Sequence, residues 1–243
     1  MSHAHPTKGL NRNDTANFMQ ATLTAVSEGL SAGLEPHLTN EGTSGTYIMR
    51  NEDSTPVAVF KPVDEEAYAP NNPRDMKAVF GSDTCRPGVK SGESTLREAV
   101  AFLLDHEGFA GVPATALVDL KHESMPSLSL DASMATSEDV FGRIQKILPK
   151  CNQDNLHGKV GSLQEFVQSA GPVEDYCSDL FENEEVHKIG ILDLRLMNLD
   201  RNSCNILVQK TGNKHTLVPI DHGMTLPDNL EVCSFDLVWL SFD

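Results

Sequence analysis

The amino-acid sequence predicts an α+β fold in two lobes. Strand patterns and one strong amphipathic helix come first, and mostly helical patterns with a late hairpin follow. At 243 residues the chain is long enough for one large domain or two small lobes with a sizeable core.

Residues 14–31 place Phe18, Leu23, Val26 and Leu30 on one helical face, with Asn13 or Asp14 as N-cap. Residues 47–50 and 57–61 are two short apolar runs around the polar turn 51–54, the pattern of a β-hairpin. Residues 62–92 carry four prolines, several glycines and few apolar side chains, and are expected to be loop. Ser94 opens a helix to Leu104, and 112–118 is expected to be a strand. A Ser- and Met-rich stretch over 122–137 predicts a loop or insertion, and 140–148 a short helix. Residues 186–197 predict a further helix, and 206–208 with 217–220 a second hairpin.

Composition narrows the function. With 19 Lys and Arg against 35 Asp and Glu, the formal charge is −16. That balance excludes a nucleic-acid partner, because no cationic excess exists to displace phosphate counterions. It also argues against docking to anionic lipid through a polybasic surface. No apolar run approaches the roughly 18 residues needed to cross a bilayer, and the first residues lack a signal peptide's apolar stretch. The five cysteines are scattered without a C-x-x-C pair, as in a reduced compartment. A cytoplasmic or nuclear location is therefore expected, with membrane contact peripheral at most. The nine histidines show no metal-binding spacing, and no G-x-S-x-G motif is present. The basic residues Arg74, Lys77, Arg86, Lys90 and Arg97 cluster in this acidic chain, but acids interrupt them. They fit a surface for a lipid headgroup or nucleotide phosphates, or equally a mixed solvated loop.

Chemistry concentrates late in the chain. Asp200 and Asn205 have Asp-x-x-x-x-Asn spacing, and Asp221 ends the next apolar strand two residues before Gly223. Phosphoryl transfer needs an Asp to orient the attacking hydroxyl, and an Asn and a second Asp to hold magnesium. Asp and Asn are also ordinary turn formers. Upstream, Lys61 follows the strand pattern Val57-Ala58-Val59-Phe60, and Glu98 lies in the first strong helix after it. In kinases a strand Lys meets the nucleotide phosphates and a helix Glu orients it. Alone, each has a plain structural explanation, an exposed strand-end Lys and a solvated helix face. Gly42 and Gly45 precede the Lys strand in a turn whose amides could cover phosphates, or which simply closes a hairpin. The chain order of the whole set makes it specific.

Several segments resemble the type II phosphatidylinositol 4-kinases, most closely the plant gamma (type II-like) subgroup. They are Phe60-Lys61-Pro62-Val63-Asp64-Glu65-Glu66 running into Ala69-Pro70-Asn71-Asn72-Pro73, then Arg97-Glu98-Ala99-Val100-Ala101-Phe102, then residues 159–167, 189–205 and Asp221-His222-Gly223. The resemblance implies a bilobal protein-kinase-like fold: a helical extension over 1–40, an N-lobe with an antiparallel sheet over 41–167, an insertion near 122–158, a hinge at 164–167, and a shortened helical C-lobe over 168–243. It implies that Gly42, Thr43, Ser44, Gly45, Thr46 and Tyr47 cover the phosphates of ATP, that Lys61 pairs with them, and that Glu98 holds Lys61. Gln164, Glu165, Phe166 and Val167 would line the adenine pocket. Asp200 would orient the acceptor hydroxyl, Asn205 and Asp221 would bind Mg2+, and Arg201 would bind phosphate or brace the loop.

Leu199 and Asn202 depart from the family's usual Thr before the catalytic Asp and His or Gly after its Arg. The chain ends 22 residues past Asp221 (243 − 221), where relatives carry further helices. Bare apolar surface is therefore expected on the 186–197 helix and at Val238-Trp239-Leu240. ATP- and Mg-dependent phosphorylation of phosphatidylinositol is the expected function. The alternatives are a protein Ser/Thr acceptor, to which the acidic balance leans, and an inactive kinase-fold scaffold.

Overall fold

The computed structural model of the chain describes residues 12–123, 125, 158–229 and 236–241. The expected helix at 140–148, and the expected insertion near 122–158 apart from its ends, lie outside the described residues.

Helix α1 (Arg12–Ser31) buries Met19, Val26 and Leu30, spaced by seven and four residues on one face. That face packs on the first sheet, so the helix expected as an extension belongs to the sheet's core. Gly29 permits the approach, since a Cβ there would lie 2.9 Å from the Arg50 carbonyl carbon.

The first sheet comprises β1 (His37–Leu38), β2 (Tyr47–Arg50), β3 (Pro56–Pro62), β4 (Thr115–Leu120) and β5 (Lys159–Glu165). Their spatial order is β1-β2-β3-β5-β4, with every neighbour antiparallel. The expected β2–β3 hairpin is present. Its turn closes through the Asn51 N–H to the Thr55 carbonyl (3.0 Å) and the Thr55 N–H to the Asn51 side chain (2.9 Å). Ala58, Phe60, Met49 and Leu163 are buried against α1.

Helix α2 (Ser94–Leu104) appears as expected, and the expected 112–118 strand is shifted to 115–120. Residues 62–92 are mostly loop, with one 3-10 turn at Val63–Glu65. Unlike a solvated loop, this segment buries Asp64, Glu65, Glu66 and Asn72.

Downstream, α3 (Asn183–Leu196) packs on a second antiparallel hairpin, β6 (Ile206–Thr211) and β7 (Lys214–Pro219). Val186 and Ile189 meet Ile206, Val208 and Leu217 there. The expectation of a mostly helical second half needs correction. Among the described residues beyond 168, α3 is the one α-helix, and the rest of the helical backbone is short 3-10 turns. Residues 168–182 carry Gly171, Pro172 and four acids with apolar side chains too sparse for a helical stripe.

The tail is partly engaged. Trp239 lies over Gly190, where a Cβ would come within 3.2 Å of the indole, and its Nε1 donates to Asp193 at 3.1 Å. Ile191, Leu194 and Leu240 remain exposed, as expected for that face. Helix α2 bridges the two halves, with Ala101 packed among Val112, Leu192 and Leu196.

Candidate active site

Alternation along β3 turns Ala58 and Phe60 into the core and Lys61 to the opposite face, beside Ser162 of β5. The Lys61 ammonium forms an ion pair with Glu98 of α2 and a second, at 3.1 Å, with Asp221 just beyond β7. Glu98 is buried, and its other oxygen accepts the His222 N–H at 3.0 Å. One strand, one helix and the segment after the second hairpin thus meet at a single cation.

The electrostatics follow. Burial pushes the Lys61 pKa down, but the carboxylates of Asp221 and Glu98 prevail and hold it above its ordinary value. Lys61 pulls the Asp221 carboxyl below its ordinary value, whereas burial outweighs Lys61 at Glu98 and raises it. His222 is fully buried, and both ring nitrogens lack hydrogen-bond partners among the described residues. Burial first, then Arg201 and Lys61, hold its pKa well below the ordinary range, so the ring is neutral.

A second layer of groups fixes this one. Glu66 receives the N–H groups of Gly92 (2.8 Å), Ser94 (3.1 Å) and Thr95 (2.6 Å), capping the start of α2 from outside the helix. Arg97, one residue before Glu98, donates to the Thr225 carbonyl at 2.6 Å and to that of Leu226. The helix that carries Glu98 is therefore tied at its start and to the segment bearing Asp221.

Residues 198–205 link α3 to β6. Arg201 is wholly buried, and its guanidinium forks onto Asp193 at 2.9 and 3.1 Å. Its third nitrogen donates to the carbonyls of Asn205 and Ile220, both at 2.6 Å. Of the two roles open to Arg201, the geometry supports the brace, since the side chain reaches no surface from which to touch a phosphate. Asn205 donates to the Asp200 carbonyl at 2.8 Å, and the Ile220 N–H to the Asn205 carbonyl at 3.0 Å. Asp200, Asn205 and Asp221 therefore share one short backbone framework. The two departures beside Asp200 have local structural roles. Leu199 is buried with its N–H on the Met224 carbonyl, and Asn202 caps the turn at Ser203–Asn205.

Asp200 holds an unexpected partner, with Arg86 donating to its carboxylate at 2.6 Å. The other members of the basic cluster scatter. Arg74 donates to the carbonyls of Thr39, Asn40 and Glu41, and Lys90 pairs with Asp83.

Residues 39–46 form the β1–β2 loop, and the structure stitches that loop to the 62–76 segment. The Gly45 N–H donates to the Glu65 carbonyl (2.8 Å), Asn72 to the Thr43 carbonyl (2.8 Å), and the Ala67 N–H to the Ser44 hydroxyl (3.1 Å). Tyr47 donates to Glu65 at 2.6 Å, and buried Lys159 pairs with Glu65 and, at 3.4 Å, with Asp64. Gly42 is exposed in the left-handed region (φ 84°), and the Thr46 carbonyl accepts the Thr39 N–H at 2.9 Å. The Gly45 amide, expected to face phosphate, is thus taken by Glu65.

At the expected hinge, Gln164 and Glu165 are the last residues of β5 rather than a linker. The Glu165 N–H donates to the Ala114 carbonyl (2.8 Å), the Phe166 N–H to that of Val57 (3.1 Å), and the Gln164 side chain to Thr115 (2.9 Å). Val167 is buried, and its backbone groups have no partner among the described residues.

No group of three or more His, Cys, Asp or Glu suited to a metal occurs among the described residues. Asn205 and Asp221 are hard oxygen donors, however. Magnesium uses such pairs with retained waters and substrate phosphates. Lys61 with Glu98 and Asp221 also carries one excess negative charge, which suits a cation.

Sequence reasoning assigned no role to Glu66, Lys159, Asp193 or His222, and it named Arg86 only as one of a basic cluster, without its pairing to Asp200. Lys159 left a faint trace, a lysine opening a strand whose only other charge is the closing Glu165.

A strand lysine bracketed by a helix glutamate and a downstream aspartate, with Asp200 and Asn205 close in chain, is the set of groups that phosphoryl transfer uses. The chain belongs to the phosphatidylinositol 3- and 4-kinase family, whose model matches residues 43–238. It is 38% identical over 230 residues to phosphatidylinositol 4-kinase gamma 4 of Arabidopsis thaliana, covering 89% of this chain and 36% of that protein. To phosphatidylinositol 4-kinase gamma 4 of Oryza sativa subsp. japonica it is 38% identical over 224 residues, 87% of this chain and 34% of the relative. To gamma 5 of Arabidopsis thaliana it is 34% identical over 239 residues, 96% and 36%. The chain spans about a third of the length of these curated relatives.

Proposed function

We propose that the chain transfers the γ-phosphoryl group of ATP to an inositol hydroxyl of phosphatidylinositol. The observation that carries this reading is the locking of Lys61 between Glu98 and Asp221. The two sheets are taken as the cores of two lobes, with the nucleotide between them. Lys61 meets the phosphates, held in place by Glu98. The backbone of Val167 meets the adenine edge, having no other partner among the described residues. Asn205 and Asp221 would hold magnesium, which would supply neutralisation of charge on the phosphates. The stitched 39–46 loop limits motion above them. Asp200 orients the acceptor hydroxyl and takes its proton as the new O–P bond forms. The bond from the γ-phosphorus to the β,γ-bridging oxygen breaks, and ADP leaves. Catalysis on this reading is positioning and charge neutralisation.

No helix among the described residues is long and apolar enough to cross a membrane. On this reading the acceptor hydroxyl is met at the bilayer surface, where the inositol headgroup lies. Nothing in the relatives' names favours a protein acceptor, which the acidic composition had suggested.

The test is one reaction with γ-labelled ATP, magnesium, phosphatidylinositol vesicles and a generic protein acceptor, run beside Asp221→Ala. Label in the lipid that drops at least a hundredfold in the variant is expected. Label only in protein would replace the acceptor, and none above the variant would leave a binding scaffold.

A further inference from the structure

Arg86 sits on the side chain that the proposed reaction needs free. Its Nη2 lies 2.6 Å from an Asp200 oxygen and 3.8 Å from Asp236. The loop beneath it is fixed. Thr84 donates to the Val89 carbonyl at 2.9 Å, Asp83 and Lys90 bridge across it, and Asp228 donates its N–H to the Gly88 carbonyl at 2.8 Å. Gly88 adopts φ 77°, and a Cβ there would come 2.8 Å from the Asn229 nitrogen, so the loop docks backbone to backbone. The backbone beneath Arg86 is thus held on both sides, and its guanidinium sits at the end of a long side chain.

Resting on the function just proposed, we propose that Arg86 is the acceptor-sensing residue of this site. It latches Asp200 until the phosphodiester of the acceptor draws the guanidinium away. A neutral hydroxyl competes poorly with a carboxylate for a guanidinium, whereas a phosphate accepts two parallel N–H bonds from the same fork. Phosphatidylinositol carries hydroxyl and phosphate on one ring, so its binding frees Asp200 and orients the ring together. A Ser or Thr side chain brings no anion in that register, and water brings none at all. The latch thereby selects the lipid headgroup and suppresses idle hydrolysis of ATP.

Calorimetric titration of wild type, Arg86→Ala and Arg86→Lys with glycerophosphoinositol, myo-inositol and inorganic phosphate tests the recognition. Wild type should bind glycerophosphoinositol at least tenfold more tightly than Arg86→Ala, with Arg86→Lys between them. Inorganic phosphate should bind far more weakly than glycerophosphoinositol. Equal affinity in wild type and Arg86→Ala overturns the proposal, as does phosphate binding as tightly as the headgroup or no headgroup binding at all. The latch is tested by turnover. In Arg86→Ala the KM for phosphatidylinositol should rise about tenfold while ATP hydrolysis without acceptor rises severalfold. A fall in kcat alone, with hydrolysis unchanged, overturns it. Should wild type bind the headgroup through Arg86 yet label no lipid, the kinase reading fails while the Arg86 site stands.

Discussion

Glu66 faces three amide donors and the start of α2, and both favour its charged form. Burial prevails, lifting its pKa from 4.5 to about 7. A carboxyl raised in this way favours the fold in its protonated form. Its contribution is complete below about pH 4.5 and is lost as pH rises towards 7. At 1.36 kcal/mol per pKa unit, the whole loss is about 3 kcal/mol. Glu66→Gln cannot ionise, so between pH 5 and pH 7 urea unfolding should show wild-type stability falling by about 2 kcal/mol relative to the variant, the rest of the loss lying outside that interval. Parallel profiles would remove Glu66 as the titrating group. Lys61, Glu98, Asp200, Asn205 and Asp221 were legible because residue type and chain order carry their chemistry. Glu66, Lys159 and Asp193 were not, because a buried charge acquires its role only from the elements that surround it.

Gly45 shows what an element adds to its residues. A Cβ there would sit 2.7 Å from the Glu65 Cβ. Glu65 cannot step aside, because Tyr47 and Lys159 hold its carboxylate. Gly45→Ala should therefore lift the 39–46 loop, breaking the Gly45 and Thr43 contacts with the 62–76 segment. Affinity for a fluorescent ATP analogue should fall about tenfold, and the urea midpoint should move little because the strands on either side remain paired. Unchanged affinity would mean that the loop does not cover nucleotide. The hairpins and the three α-helices among the described residues were readable from apolar periodicity and turn residues. Strand β5 was not, because Lys159, Gly161, Gln164 and Glu165 break every strand pattern. It is nonetheless buried throughout, between β3 and β4. A central strand whose polar groups are satisfied by neighbours far away in sequence gives no local signal.

Across the whole molecule, α2 fastens the halves together, through Glu98 to Lys61 and His222, and through Arg97 to the Thr225 carbonyl. The sequence forecast two halves and the Glu98–Lys61 pair, but not the contacts of Glu98 with His222 or of Arg97 with Thr225, whose partners lie over a hundred positions apart. The net charge acts on the same scale. At −16 the molecule and an anionic vesicle repel at long range. The contact between Arg86 and a headgroup acts at hydrogen-bond distance instead. Salt separates the two, since the screening length falls from about 30 Å at 0.01 M to about 8 Å at 0.15 M. Over that interval the KM for phosphatidylinositol in vesicles should fall severalfold, because repulsion is screened before the short contact is touched. Diluting the lipid with zwitterionic phosphatidylcholine should flatten the dependence, and soluble glycerophosphoinositol, with a single charge, should show almost none. A KM that climbs with salt would instead reveal a basic face that dominates docking despite the net charge, and would shift attention from Arg86 to the arginines and lysines around it.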